Sequence, residues 1–453
     1  PPRCSDGPMT GSDALTSQTV DLLQAMIRNA CVNDGTAESG QEVRNADLLE
    51  AYLGNVGLDV ERFEPTPGRT SLVARIEGSD PSAPSLCLMG HTDVVPVNPD
   101  GWDRDPFGGE LVDNEIWGRG AVDMLNLTAG QAVAFRTLAN QGFKPRGDLI
   151  FFAVADEESG SAHGARWMAD HHYADIKADY VLTENGGLHS GPDTAPAISV
   201  NVAEKGVAWR RLTVRGTPGH GSMPYRTDNA LVKAAAVIQR LAEYQPAARF
   251  HELWRARVEA MGLPEEAKQQ LLNEDQVDEF LANLPSAATA SHLHACTHAT
   301  FSPNVGHAAG KTNVIPDQVS IEVDIRTLPG DLSVADHLRE ALGDLADHVE
   351  TEVLINDASS ASRIDTPLWE SLNRAINKPF PSARLNPQFS VGFTDARVYR
   401  EHGAVVYGAG LLSPAIDAGE FGRRFHGHNE RIDVESLRLT TQMYLDVCQD
   451  LLG

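Results

Sequence analysis

Three short apolar runs of strand character, at 86–89, 149–155 and 180–183, each give way at once to ionisable residues, in LCLMGHTD, IFFAVADEE and YVLTE. A helical pattern over 123–138 lies between the first two. Strands that alternate with helices imply an α/β sheet containing parallel pairs. In open sheets of that kind, ligands bind in the crevice beyond the carboxyl ends of the strands. His91, Asp93, Glu157, Glu158 and Glu184 are therefore expected to converge there.

At 453 residues the chain is well past the roughly 250 to 300 at which single cores stop growing, so two domains are expected. Upstream of the apolar runs, 20–60 reads as helix, loop, helix, and 71–76 as a strand. The texture changes at Arg210. A strand (RRLTVRG), a helix (DNALVKAAAVIQRLAEY) and a polar, helical stretch to about 290 lead to strands around 297–305 and 319–328. A helix over 334–342 and a strand over 349–355 follow. With 245–290 set aside, the order is β-α-β-β-α-β, which folds alone as a sheet with two helices on one face. The expected architecture is a mixed-sheet α/β domain at 9–207 and 359–453, interrupted by a ferredoxin-like α+β domain at 208–358. In VSIEVDIR the alternation of apolar and polar residues aims Arg326 away from the core. Beyond 358 the strand AVVYGAG is expected to return to the first sheet, as is a closing helix with Val434, Leu437, Tyr444, Cys448 and Leu451 on one stripe.

Carboxylates packed together repel one another unless a cation neutralises them, and a histidine among them favours a zinc-like ion over calcium or magnesium. Asp123 in WGRGAVDM and His426 in GRRFHGHNE are candidates for the remaining ligands. Taken singly, GHTD also reads as a capped turn and DEE as a solvated helix start. Lys plus Arg number 37 against 63 Asp plus Glu, and the net charge of −26 would repel phosphate backbones and anionic lipid. Neither nucleic acid nor membrane is an expected partner. Cys4, Cys31, Cys87, Cys296 and Cys448 lie far apart with no CxxC pair, which fits reduced thiols in a cytoplasm. No run approaches the ~18 apolar residues of a membrane span, and PPRCSDGPMTGSD lacks the order of a secretory signal, with Met9 read as the natural start.

Eight motifs now stand in sequence: GHTDVVP at 90–96, GRGAVDM at 118–124, ADEESG at 155–160, the strand end at Glu184, TPGHGSMP at 217–224, TNVIPD at 312–317, VDIRTLPG at 323–330 and HGHNE at 426–430. Their order resembles that of the aminoacylase, glutamate carboxypeptidase and succinyl-diaminopimelate desuccinylase family of metallopeptidases, over nearly the whole chain. The resemblance implies a zinc exopeptidase type of catalytic domain with an inserted lid and dimerisation domain, and a homodimer formed through that insert. It implies two zinc ions per subunit, with Co2+ or Mn2+ as substitutes: His91 and Glu184 on one, Glu158 and His426 on the other, Asp123 bridging. Asp93 would orient the His91 imidazole, Glu157 would be the general base, and His220 would stabilise the oxyanion. Arg326 and Asn313 resemble the residues that hold the substrate carboxylate, while Thr394, Asp395 and 408–410 resemble pocket loops.

The function so implied is hydrolysis of the amide of N-acyl amino acids or of short peptides with a free carboxylate. Glutamate at 184 leans toward the acylase, desuccinylase and carboxypeptidase branches. The alternatives are a dipeptidase or exopeptidase of the same family, and a catalytically silent binding protein on the same scaffold. His428 and Leu125 depart from the residues common in relatives and bear on specificity. His292, His294 and His298 have metal-like spacing but fall outside the motif set, and no ligand role is assigned to them.

Overall fold

The computed structural model describes residues 11–54, 57–308 and 310–453, so the readings of Cys4 and Met9 fall outside the described residues. The chain divides into two compact units. The first runs to Val202 and resumes over Ser362–Gln388 and Thr394–Gly453; the second comprises Ala203–Ala361 and Phe389–Phe393, against 208–358 drawn for the insert from sequence.

In the first unit a mixed sheet runs in the order Val60–Phe63, Ser71–Ile76, Leu149–Val154, Leu86–His91, Tyr180–Thr183, Val405–Gly408, Ala197–Glu204. The four strands in the middle pair in parallel, and those toward the edges pair antiparallel. Every residue of Leu86–His91 and Leu149–Val154 is buried, as both faces are covered. Successive side chains therefore serve opposite layers. The Phe151 ring meets Phe135 of helix Leu125–Asn140 at 5.9 Å. Phe152 packs with Cys87, Met168 and Val398 on the other face. Helices Gly11–Arg28, Leu125–Asn140 and Val434–Leu452 pack together, with Leu437, Tyr444 and Cys448 buried. A separate antiparallel ribbon joins Glu110–Val112, Glu115–Trp117 and Arg431–Asp433, opposing Ile432 to Ile116.

In the second unit Thr300–Ala308, Gln318–Thr327, Arg210–Arg215 and Val349–Val353 form an antiparallel sheet in that spatial order. This is the ferredoxin-like arrangement. Val319, Ile321, Val323 and Ile325 pack beneath helices Ala230–Glu243 and Val334–Leu342 through Ala234, Val237, Leu338 and Ala341.

Two boundaries differ from the sequence expectation. The first helix after the metal-type motif starts at Leu125, leaving Asp123 in the turn before it, because Glu430 Oε1 accepts from the amides of Val122 and Asp123. The strand expected from about 297 begins at Thr300, because helix Ala287–Thr297 persists, with Thr297 Oγ1 donating to Leu293 O and His298 N to His294 O. The stretch set aside holds Glu252–Ala260, Glu265–Leu271, Val277–Ala282 and the start of Ala287–Thr297. Among the described residues, no helix is long and apolar enough to cross a membrane.

Candidate metal centre

His91 ends the strand Leu86–His91, and Gly90 before it has no alternative: a Cβ there would strike Thr128, whose hydroxyl donates to His91 O at 3.0 Å. Asp123 sits in the turn following GRGAV, and its peptide bond to Met124 is cis. Glu157 and Glu158 open a single 3-10 turn after strand Leu149–Val154, Glu184 follows Tyr180–Thr183, and His426 lies in the turn before Arg431–Asp433.

These side chains meet. The two oxygens of Asp123 face different histidines: Oδ1 is 3.2 Å from His91 Nε2, and Oδ2 is 3.2 Å from His426 Nε2. His426 Nε2 is also 3.3 Å from Glu158 Oε2. Ligand atoms of His91, Asp123 and Glu184 lie within 4.8 Å of one another, and so do those of Asp123, Glu158 and His426. A third grouping joins His91, Glu157 and Glu158. Oxygen and imidazole donors in this ratio, with Asp123 common to two sets, fit a pair of zinc-type cations. Glu158 Oε1 is buried without a hydrogen-bond partner, an acceptor whose lone pairs a cation would satisfy.

The electrostatics have the same cause. Burial, and then the charge of Glu184, push the Glu157 acid well above its usual range. Burial and Asp123 do the same to Glu184, and Glu158 is raised as well. Hydrogen bonds to Asp123 and Glu158 lift the His426 imidazole to about 10. Burial also raises Asp395 to about 6. The Ser161 hydroxyl donates to one oxygen of Asp395, while Thr394 Oγ1 accepts from the Ala396 amide at 3.0 Å. A Cβ at position 408 would collide with the Glu184 carbonyl oxygen, so only glycine lets these two backbones come this close.

Asp93 lies beside His91 and beside the turn of Glu157 and Glu158. His91 Nδ1 lies 3.0 Å from the main-chain carbonyl of Asp93 and 3.5 Å from its carboxylate. That carboxylate also accepts from the amides of Glu157 (3.3 Å) and Glu158 (3.1 Å) and from Asn33 Nδ2 (2.8 Å). It thereby ties His91 to the turn that carries both glutamates. Sequence reasoning gave no role to Asn33, Arg119 or Glu430. Glu430 is fully buried; it takes the amides of Val122 and Asp123 and, at 2.7 Å, the Arg119 guanidinium, which also donates to His426 O at 3.3 Å. Arg119 and Glu430 stand inside the motifs GRGAVDM and HGHNE, and that was the available signal.

The remaining expected residues belong to the second unit. A short ribbon pairs Gly219 with Ile315 and His220 with Val314, and Gly221 N donates to Asn313 O at 2.8 Å, so His220 and Asn313 are neighbours. His220 Nδ1 accepts from Ser222 N at 3.2 Å, which leaves the ring hydrogen on Nε2. Arg326 donates to both oxygens of Asp324, at 2.6 and 3.1 Å, and keeps Nη1 without a partner.

Comparison with known proteins gives a consistent set of likenesses. Residues 87–450 match the model of Peptidase family M20/M25/M40. The chain is 29% identical, over 96% of its length and 86% of the relative's, to an N-fatty-acyl-amino acid synthase/hydrolase of Xenopus tropicalis. It is 28% identical to a succinyl-diaminopimelate desuccinylase of Cereibacter sphaeroides, over 89% of this chain and 92% of that one. In structure it is similar to an M20 family metallo-carboxypeptidase of Sulfolobus solfataricus (TM-score 0.72, 17% identity, 98% and 99% of the two chains). Human carnosine dipeptidase 1 is also similar (TM-score 0.70, 19% identity, 97% of each chain).

Proposed function

The chain belongs to peptidase family M20/M25/M40, a family of metallopeptidases and amidohydrolases, and from that premise we propose that it hydrolyses the amide of N-acyl amino acids or short peptides bearing a free carboxylate. The reading rests above all on Asp123, whose two oxygens each face a different histidine within a three-residue donor set. In it His91, Glu184, Asp123, Glu158 and His426 hold two zinc ions. Bound there, the ions supply Lewis acidity to the amide carbonyl and lower the pKa of a water.

Glu157 then acts as general base, taking a proton from the attacking water and passing it to the amide nitrogen as the C–N bond breaks. Asp93, by holding the amides of Glu157 and Glu158, keeps the base and the adjacent ligand in one turn. His220, with its hydrogen on Nε2, is assigned to the oxyanion. The open Nη1 of Arg326, with Asn313, is assigned to the substrate carboxylate. The second unit is read as a lid and as the interface of a homodimer. Exposed Leu231, Val232 and Ile238 along helix Ala230–Glu243 support that reading. The intact Glu157 disfavours a silent binding protein.

The test pairs elemental analysis of wild type and Glu157→Ala with hydrolysis assays across N-acyl amino acids, dipeptides and tripeptides. Both proteins are expected to retain at least two cations per chain, with turnover in the variant down by roughly 10²- to 10⁴-fold. The preferred substrate class decides between the acylase and dipeptidase readings. Undiminished turnover in the variant, or no retained metal after reconstitution, would end the proposal.

A further inference from the structure

Asp324 and Arg326 alternate with Val323 and Ile325 along strand Gln318–Thr327, so they share the face opposite to the one packed beneath the helices. Trp209 fills the interval between Gly206–Val207 and Arg210–Arg215, which both pair with that strand. Its main chain is held on both flanks: Ala208 N donates to Ile325 O at 2.8 Å, and Trp209 O accepts from Leu354 N at 3.0 Å. Phe393 ends the segment Phe389–Phe393, which belongs to the same compact unit. Both rings are half-buried.

The four side chains form a closed circuit. Asp324 Oδ1 accepts from Arg326 Nε at 2.6 Å and from the Trp209 indole Nε1 at 3.0 Å, while Oδ2 accepts from Arg326 Nη2 at 3.1 Å. The guanidinium carbon of Arg326 stands over the Phe393 ring, 5.2 Å from its centroid. Trp209 meets the same ring edge to face, with 6.4 Å between centroids and 79° between planes. Trp209 therefore supports both the carboxylate and the ring that bear on Arg326.

These contacts constrain the guanidinium in complementary ways. Hydrogen bonds at Nε and Nη2 hold one edge and leave a hinge about it, along which Nη1 would swing out of plane. The ring blocks that swing in one direction and, through the attraction of its π face for the cation, opposes it in the other. Nη1 is buried without a hydrogen-bond partner, so an unmet donor is held in one place instead of turning to an acceptor of its own. With Nε and Nη2 occupied by Asp324, a ligand carboxylate cannot use the bidentate fork along that edge and depends on where Nη1 is held.

We propose that Phe393 is a positioning residue for recognition of the substrate carboxylate, acting through Arg326, with Trp209 bracing the ring and Asp324 together. This rests on the assignment of Arg326 to that carboxylate. Phe393 itself makes no polar contact with the substrate; it sets the direction from which Nη1 meets it.

The experiment measures KM and kcat of full-length, zinc-loaded protein on the N-acyl amino acid that wild type turns over fastest. It compares wild type with Phe393→Leu, Phe393→Tyr, Arg326→Met and the double variant of Phe393→Leu with Arg326→Met. Leucine keeps apolar bulk and removes the π face, and tyrosine keeps both. Phe393→Leu is expected to raise KM roughly 3- to 20-fold with kcat within about 2-fold, and Phe393→Tyr to stay close to wild type. Arg326→Met is expected to raise KM further, and adding Phe393→Leu to it to change nothing more, because the ring then has no guanidinium to hold. A raised KM in Arg326→Met with an unchanged one in Phe393→Leu, or a Phe393→Leu effect that persists in full beside Arg326→Met, would overturn the role of Phe393 and leave the carboxylate assignment standing. An unchanged KM in Arg326→Met would remove that assignment, and the role of Phe393 with it.

Discussion

Glu430 and Arg119 are both buried, 0% and 2% exposed, and each is the other's counter-charge. Burial pushes the Glu430 acid up to about 7 in spite of that partner. Removing one member of a buried pair leaves an uncompensated charge, which typically costs about 3–5 kcal/mol. Glu430→Ala is expected to lose stability on that scale and to loosen the cation that the proposed function assigns to Asp123 and His426, since it frees the amides that hold the Asp123 turn. Denaturant unfolding and retained metal, measured together, check this. A loss below about 1 kcal/mol with full metal content would show that the turn holds itself.

At the scale of elements, the turn before helix Val334–Leu342 depends on Asp331. Its carboxylate accepts from His337 Nε2 at 3.0 Å and from the amides of Leu332 and Leu328 at 2.8 and 3.3 Å. Burial alone would raise this acid, but those hydrogen bonds outweigh it and hold the carboxyl below its usual range. The folded value thus lies under the unfolded one of roughly 3.9, so the stabilisation is complete above that pH and is lost as pH falls through the folded value. Asp331→Asn is expected to cost about 1–3 kcal/mol at neutral pH and to flatten the acid limb of the stability curve. An acid limb identical to that of wild type would remove Asp331 from the account.

The elements themselves were unevenly legible. Tyr180–Thr183 was readable as a continuous apolar run because both faces of its sheet are covered. Helix Ala287–Thr297 was readable only to about 290, because alanines on every side of it set no apolar stripe apart in the sequence and the closing Thr297–His298 looks like the start of a strand. Residues at strand ends announced themselves by position. Arg119 and Glu430, 311 residues apart, could not, since nothing local in either segment says that the two charges meet.

For the molecule as a whole, cations bound only by the native state stabilise it by mass action, about 4 kcal/mol for each site held at a thousand times its dissociation constant. Stripping them with a chelator is expected to lower the unfolding temperature on the order of 10 °C, restored by zinc. The net charge of −26 adds self-repulsion that salt screens, so the comparison belongs at fixed ionic strength. An unfolding temperature unmoved by complete metal removal would mean that the carboxylate cluster stands without compensation. The shared turn of Asp123, Arg119, His426 and Glu430 also orders events during synthesis. His91, Asp123, Glu157, Glu158 and Glu184 leave the ribosome long before residues 426–430, with the whole second unit in between. That unit has its own sheet and core. The cluster closes only when its most distant contact forms, so a chain interrupted before that turn carries most of the proposed ligands and not the whole set.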